Sequence, residues 1–310
     1  MGKINTVHVV GLGALGMLFG NDLMQGEDVD VRFVMDADRL AHHATDAYAI
    51  NGEPVGFKLL AADDATPADL VILAVKYADL DAALTTAAAS VGPRTVLVSL
   101  LNGITSEKIV SSRYPNNPVV HTVAQGMDAM RDGSQLTYTV HGALHVGVPA
   151  GATDADREAL SALDELFCRC GLPHVVEDDI AYRMWFKFML NVGVNQVCMV
   201  FDATYAQALA QGSLERAILV AAMREVQAVA AAEGITLAEA DLAQCIALEA
   251  ALDPAGFPSM EQDRRAGRAS EVDMFAGVVC ELGRVHGILT PANDWLLAQV
   301  RQIESAYETR

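Results

Sequence analysis

The sequence predicts an α/β fold followed by an all-helical one, and three observations carry that prediction. Over residues 1–176 short apolar runs alternate with helical patterns, the signature of a parallel sheet built from strand–helix units. Over residues 177–310 the strand pattern disappears and helical spacing continues to the end. Finally, the first apolar run, Val7-His8-Val9-Val10, leads directly into Gly11-Leu12-Gly13-Ala14-Leu15-Gly16. Glycines in that pattern let the chain turn tightly, admit a pyrophosphate close to bare Cα atoms and aim helix N–H groups at its charge. The six residues are therefore the candidate dinucleotide-binding turn. A chain of 310 residues has room for the two domains this implies, since domains commonly run to about 100–150 residues.

After the turn, Leu15, Leu18, Phe19 and Leu23 repeat with helical spacing and Gly26 closes the helix. Residues 29–35 read as the second strand, ending at Asp36, twenty positions beyond Gly16. An acid there holds the ribose hydroxyls of NAD and repels the extra phosphate of NADP, whereas the flanking Arg32 and Arg39 suit a 2′-phosphate. Asn51-Gly52 makes residues 48–55 a hairpin, because that pair accepts the positive φ angles of a tight primed turn. Residues 70–75 are continuously apolar, as in a strand buried on both faces, and Lys76 follows at the carboxyl end, where open α/β sheets bind ligands. A lysine there also simply reaches solvent. The next strand, 95–101, ends likewise in a polar turn, Asn102-Gly103. Residues 119–124, 136–140 and 142–148 are further strands, the last two expected as antiparallel additions to the sheet. Thr153-Asp154-Ala155-Asp156 opens a helix by side-chain capping, with Leu160, Leu163, Leu166 and Phe167 as its buried stripe. A run at His174-Val175-Val176 closes the first domain.

In the second half, Gly234, Gly267 and Gly287 sit where helical patterns stop, and Thr290-Pro291 opens the last helix. Lys187, Asn191 and Asn195 recur at intervals of four, each step rotating by about 40° on an α-helix, so the three share one face. Their neighbours are almost all apolar. Such a stripe is costly to bury without partners, which points to a cleft that binds something polar. Further on, Ser259 suits a turn, Ser270 suits a helix cap, and Glu271 in the first turn after it suits the helix dipole.

Composition removes several classes. Hydrophobic residues make up 52% and charged ones 20%, which describes a packed globular chain. Forty acidic residues against 21 basic ones give a formal charge of −19, which repels nucleic acid. No apolar run reaches the roughly 18 residues of a membrane span, and no secretory signal opens the chain, so a cytoplasmic protein is expected. The five cysteines are odd in number and scattered, and read as small core hydrophobes. Cys168-Arg169-Cys170 lacks a second Cys or His pair at zinc-like spacing, and the eight histidines form no ligand motif, so no metal is expected.

These pieces together resemble the ketopantoate reductase (2-dehydropantoate 2-reductase) family along nearly the whole chain. The matching residues are the glycine turn, Ala74-Val75-Lys76, Asn102-Gly103-Ile104, the Lys187/Asn191/Asn195 helix, Pro258-Ser259-Met260 with Gln262-Asp263, Gly267-Arg268, Ser270-Glu271-Val272-Asp273, and Thr290-Pro291 with Asn293. The resemblance implies a Rossmann-type dinucleotide-binding domain, a helical substrate and catalytic domain, and a site between them. It implies reduction of 2-dehydropantoate to (R)-pantoate by NADPH, on the route to pantothenate and coenzyme A. Lys187 is then the general acid, with Glu271 bonding the substrate hydroxyl, positioning Lys187 and joining the cofactor contacts. Asn191, Asn195 and Ser259 hold substrate oxygens, while Lys76 and Asn102 lie between cofactor and substrate. Burial among Trp185, Phe186 and Phe188 lowers the pKa of Lys187 and Glu271 raises it, a balance the sequence leaves open. The chain departs from the family in two places. Met35-Asp36 stands where a basic residue commonly meets the 2′-phosphate, which leaves NAD possible, and Leu101 stands where Gln is common. Other readings of the same architecture are a reductase of another 2-keto acid, an opine or 3-hydroxyacid dehydrogenase, and a non-catalytic NAD(P)-binding redox sensor. The apolar helices of the second half suit a homodimer.

Overall fold

The structure is a computed structural model and describes residues 2–307. The chain divides after Ile180 into two compact units. Among the described residues the first carries twelve strands in two sheets. Those of the main sheet are β1 (Thr6–Val10), β2 (Asp30–Met35), β5 (Leu59–Ala61), β6 (Leu70–Leu73), β7 (Val96–Ser99), β8 (Val119–Gln125), β11 (Ala143–Gly147) and β12 (His174–Val176), in the spatial order β12-β11-β8-β7-β6-β1-β2-β5. From β5 to β8 every pairing is parallel; β11 runs antiparallel to β8, and β12 parallel to β11.

Strand alternation builds two cores. Val7 and Val9 of β1 and Leu70 and Ile72 of β6 face one side, where they meet Leu18 and Phe19 of α1 (Ala14–Leu23) and Leu163 and Phe167 of α5 (Asp154–Cys170). Val71 and Leu73 face the other, against Leu84 of α3 (Leu80–Thr86) and Val110 of α4 (Ser106–Arg113). The short helix α2 (Ala37–His43) follows β2. The chain leaves β1 toward β2 and β5 and then returns to β6 on the other flank. The strand order thus reverses between β1 and β6, the place where such sheets open a ligand crevice at their carboxyl ends.

Two expectations about the first unit need correction. Residues 136–140 do not extend the main sheet. Instead β10 (Gln135–Thr137) pairs parallel to β3 (Tyr48–Ile50) and antiparallel to β9 (Met130–Asp132), and β4 (Glu53–Val55) completes a separate four-stranded sheet. Leu136 is fully buried in one core with Tyr48 and Ile50, and that apolar contact decides its partner. The Asn51-Gly52 hairpin forms as expected, with φ of +49° and +85°. Among the cysteines, four are buried, but Cys168 is exposed on the outer side of α5, because the buried stripe of that helix runs through Leu163, Leu166, Phe167 and Cys170.

The second unit is helical: α6 (Ile180–Phe201), α7 (Tyr205–Ala208), α8 (Leu214–Ala232), α9 (Glu239–Ala250), α10 (Ser259–Arg265), α11 (Val278–His286) and α12 (Pro291–Ser305). Helix α8 packs against α7, α9, α11 and α12. It meets α6 at Gly193, where a Cβ would lie 2.7 Å from Met223 Cγ. Gly234, Gly267 and Gly287 follow the ends of α8, α10 and α11 in the left-handed conformation. The helix expected after Ser270 opens differently: Asp273–Gly277 form a π-helical turn before α11, with the Gly277 N–H donating to the Val272 carbonyl at 3.0 Å. Among the described residues no helix is long and apolar enough to cross a membrane.

Helix α5 starts from a reciprocal capping box, in which Thr153 Oγ1 accepts the Asp156 N–H at 3.2 Å and the Asp156 carboxylate accepts the Thr153 N–H at 2.8 Å. Thr153→Ala removes one half of it. A loss of about 1 kcal/mol in stability is expected, read as a lower urea midpoint at unchanged slope.

Candidate active site

In the first unit the glycine turn has three distinct environments. Gly11 sits at φ +112°, and a Cβ there would lie 2.4 Å from the Ala74 carbonyl oxygen. At Gly16 a Cβ would lie 2.1 Å from the Gly11 carbonyl oxygen. At Gly13, by contrast, the nearest atom is the Ala74 oxygen at 3.6 Å, so the space above this residue is open. Tight turn, open approach and close helix packing are what a pyrophosphate-binding turn requires of its first, second and third glycines. No side chain caps α1, whose first N–H groups are left to face an anion. The residues therefore fit a dinucleotide. Arg131, which sequence reasoning missed, donates to the Leu12 carbonyl and, at 2.7 Å, to that of Gly133, fastening the β9–β10 hairpin to the turn.

Asp36 stands at the end of β2 as the N-cap of α2, with Oδ1 accepting the Arg39 N–H at 2.8 Å and Oδ2 lying 3.6 Å from Arg39 Nε. Arg32 is engaged further back on the strand, its Nε 2.7 Å from Asp30, which Lys58 also pairs at 2.7 Å. Of the two arginines that suit a 2′-phosphate, only Arg39 stays beside Asp36.

The carboxyl ends of β6, β7 and β8 line up three polar residues. Lys76 is exposed beyond β6; Asn102 is half-buried beyond β7, before Gly103 at φ +88°; and Gln125 is the last residue of β8. Gln125 was not singled out from sequence, because nothing local marks it. Its Oε1 is buried and meets no hydrogen-bond donor among the described residues. Beneath the Asn102 loop, Ser99 donates to Ser106 at 2.9 Å and Ser106 to Glu107 at 3.0 Å, a buried relay in which desolvation pushes the Glu107 carboxyl up to about 7.

The second unit brings its own group together on α6. Lys187 is half-buried, Asn191 and Asn195 are buried, and Asn195 Nδ2 donates to Asn191 Oδ1 at 3.2 Å. Ser259 opens α10 and donates its hydroxyl to Asn195 Oδ1 at 3.0 Å. Arg264 ties α10 to the Met199 carbonyl at the far end of α6, which holds Ser259 opposite Asn195. Burial lowers the pKa of Lys187 to about 8, and the Glu271 carboxylate opposes that shift without cancelling it.

Glu271 lies in the turn that leads into the π-helical segment rather than in the first turn of an α-helix. Ser270 Oγ accepts the Val272 N–H at 3.3 Å, while its own N–H donates to Glu304 at 2.6 Å. The segment is pinned to α6 by Gln196, a buried residue that sequence reasoning also passed over. Gln196 Oε1 accepts the Ala276 N–H at 3.1 Å, and its Nε2 donates to the Val192 carbonyl at 2.8 Å and to Asn293 Oδ1 at 3.4 Å. A cationic donor whose pKa is lowered to about 8, with an acid opposing that shift, a row of amide groups on the same helix face and a hydroxyl bonded to them, is equipped to give a proton to an oxygen of a small polar molecule.

Comparison with known proteins gives the same picture in both units. Residues 7–151 match the family model described as "Ketopantoate reductase PanE/ApbA", and residues 179–304 match "Ketopantoate reductase PanE/ApbA C terminal". The 2-dehydropantoate 2-reductase of Caulobacter vibrioides is 31% identical over 302 residues, covering 95% of this chain and 98% of its own. A PanE/ApbA family ketopantoate reductase from Ralstonia eutropha JMP134 has a similar fold, with a TM-score of 0.83 at 24% identity over 98% of this chain and 99% of that one. A D-mandelate dehydrogenase, in a ternary structure with NADH and anilino(oxo)acetate, reaches a TM-score of 0.84 at 24% identity over the same shares.

The glycine environments separate two effects of adding one methyl group. Gly16→Ala forces backbone apart and should lower stability by about 1–3 kcal/mol, seen as a lower urea midpoint. Gly13→Ala should leave the midpoint in place and weaken dinucleotide binding, measured by fluorescence titration of the reduced cofactor.

Proposed function

The chain belongs to the ketopantoate reductase family, a family of oxidoreductases, and from that premise we propose that it reduces 2-dehydropantoate to (R)-pantoate. The observation that carries this reading is the polar face of α6, where Lys187, Asn191 and Asn195 recur and Ser259 donates to Asn195, with Glu271 opposing the burial that lowers the pKa of Lys187 to about 8. When bound, the nicotinamide dinucleotide supplies the hydride. The remaining tasks fall to the chain. Lys187 donates its Nζ proton to the carbonyl oxygen as negative charge builds there, which stabilises the transition state more than the bound ketone. Glu271 accepts from the substrate hydroxyl and keeps the lysine charged in a partly desolvated place. Asn191, Asn195 and Ser259 orient the substrate oxygens, and for Lys76 and Asn102, on the first unit, the resemblance implies contacts with cofactor and substrate.

Resemblance alone implies NADPH. Asp36 at the end of β2, with Arg32 committed to Asp30, supports NADH as the preferred dinucleotide instead. A second reading, a 2-keto acid without the pantoate hydroxyl, is favoured by the fold shared with the NADH-bound D-mandelate dehydrogenase. A kcat/KM matrix of both dinucleotides against ketopantoate and simpler 2-keto acids decides between them. Ketopantoate outperformed by every other keto acid would overturn the proposed substrate.

Lys187→Ala should lower kcat by about 10²- to 10⁴-fold and leave dinucleotide affinity nearly unchanged. A mutant with normal kcat removes the lysine from the acid role. Reduction needs the protonated amine, so kcat/KM for reduction should fall as pH rises through about 8, while the reverse oxidation rises through the same point. Asp36→Ala should move the NADPH/NADH ratio of kcat/KM upward, and an unchanged ratio would mean that this carboxylate only caps α2.

A further inference from the structure

Outside the proposed site, we propose that Asp164, Cys168 and His174 form a binding site for a thiophilic divalent cation of the zinc type. Asp164 and Cys168 are four residues apart on α5 and therefore share a face, and His174 opens β12 after a short connection, residues 171–173. One ligand atom from each lies within 4.8 Å of the others. The connection between the two elements is short and fixed. Gly171 takes the left-handed conformation at φ +65°, its N–H donates to the Cys168 carbonyl at 3.2 Å, and the Leu172 N–H donates to the Phe167 carbonyl at 3.0 Å.

The imidazole of His174 shows what the cluster lacks. Its ring packs edge-on against Phe167 at 5.2 Å, and Nδ1 lies 2.8 Å from the Leu172 carbonyl oxygen. A carbonyl only accepts, so Nδ1 carries the hydrogen, and in a neutral ring Nε2 then presents a lone pair. That lone pair lies 2.8 Å from Asp164 Oδ1, which is also an acceptor. Either a second proton or a metal ion reconciles the two. A proton accounts for the histidine and the carboxylate as an ion pair, and a cation that replaces this proton finds the Cys168 sulfur within the same reach as a third ligand. The Leu172 carbonyl then does what outer groups commonly do for metal-bound histidines, fixing the tautomer and aiming Nε2. One sulfur, one nitrogen and one oxygen suit zinc or cobalt and disfavour magnesium or calcium, which prefer oxygen alone. With three protein ligands and Cys168 at the surface, the fourth position is open to water. The spacing Asp-x₃-Cys-x₅-His has no pair of ligands of the kind usually sought, so the sequence hides it.

The test uses the full-length, untagged protein after chelator treatment, titrated with Co²⁺ and then Zn²⁺. One equivalent of Co²⁺ should produce a thiolate-to-metal charge-transfer band, and Zn²⁺ should remove it by displacement. Cys168→Ser should abolish the band, Asp164→Asn and His174→Ala should each weaken Zn²⁺ affinity at least about tenfold, and Cys170→Ser, at a buried thiol nearby, should leave both unchanged. Cys168 is exposed, so its replacement by serine does not threaten the fold. Absence of the band at saturating Co²⁺, or equal Zn²⁺ affinity in the wild type and the three ligand variants, would reduce the cluster to a His–Asp ion pair and overturn the proposal.

Discussion

Gln196 has no exposed surface, and its two ends serve different elements of the helical unit. The carbonyl end accepts from the π-helical turn at Ala276, while the amino end reaches the backbone of its own helix at Val192 and the side chain of Asn293 on α12. Asn293 in turn donates to the Ala222 carbonyl and to Glu225 on α8. One amide thus links α6 to the segment after Glu271 and, through Asn293, to α8. A buried acceptor left without its donor costs about 1–3 kcal/mol, so the unit is constrained to keep these partners in register. The segment held in this way follows directly after Glu271, whose charge opposes the burial that lowers the pKa of Lys187 to about 8.

The first unit is organised by a different constraint, the crowding at its strand ends. Backbone oxygens of Gly11 and Ala74 occupy the places where Cβ atoms would project from Gly16 and Gly11, so β1, β6 and α1 approach at backbone distance. The protein carries a formal charge of −19; of its basic residues, Lys76 stands beyond β6, Arg39 is paired with Asp36, and Arg131 donates to the Leu12 carbonyl of the glycine turn. Arg32 does not join them, because Asp30 takes it up. With that net charge, attraction of any polyanion depends on where the individual cations stand.

Much of this was legible from the sequence where a local period or turn rule governs the outcome. The period-two and continuous apolar runs locate β1, β6 and β7, and the Asn51-Gly52 and Thr153 signals place a hairpin and a cap because their chemistry is local. The stripe of Lys187, Asn191 and Asn195 is likewise visible, since intervals of four mean one helix face. What escaped depends on contacts between distant residues. Three residues of β10 carry too little pattern to reveal that Leu136 buries itself against Tyr48 and Ile50. Arg131, Gln125 and Gln196 are ordinary polar residues until the fold brings Leu12, the ends of neighbouring strands, or Ala276 to them. Cys168 belongs to an amphipathic helix, and only the phase of that helix shows it turned outward.

The π-helical turn at Asp273–Gly277 accommodates one residue more than an α-helical turn closed over the same rise. An extra residue changes the angular phase of everything before it by about 100° relative to everything after it. The azimuth of Glu271 is therefore set by a count of residues as much as by any contact it makes. Residues 272–277 act as a spacer whose length determines which way the acid faces, so the aim of this carboxylate is sensitive to a deletion that leaves every side chain of the α6 polar face unaltered.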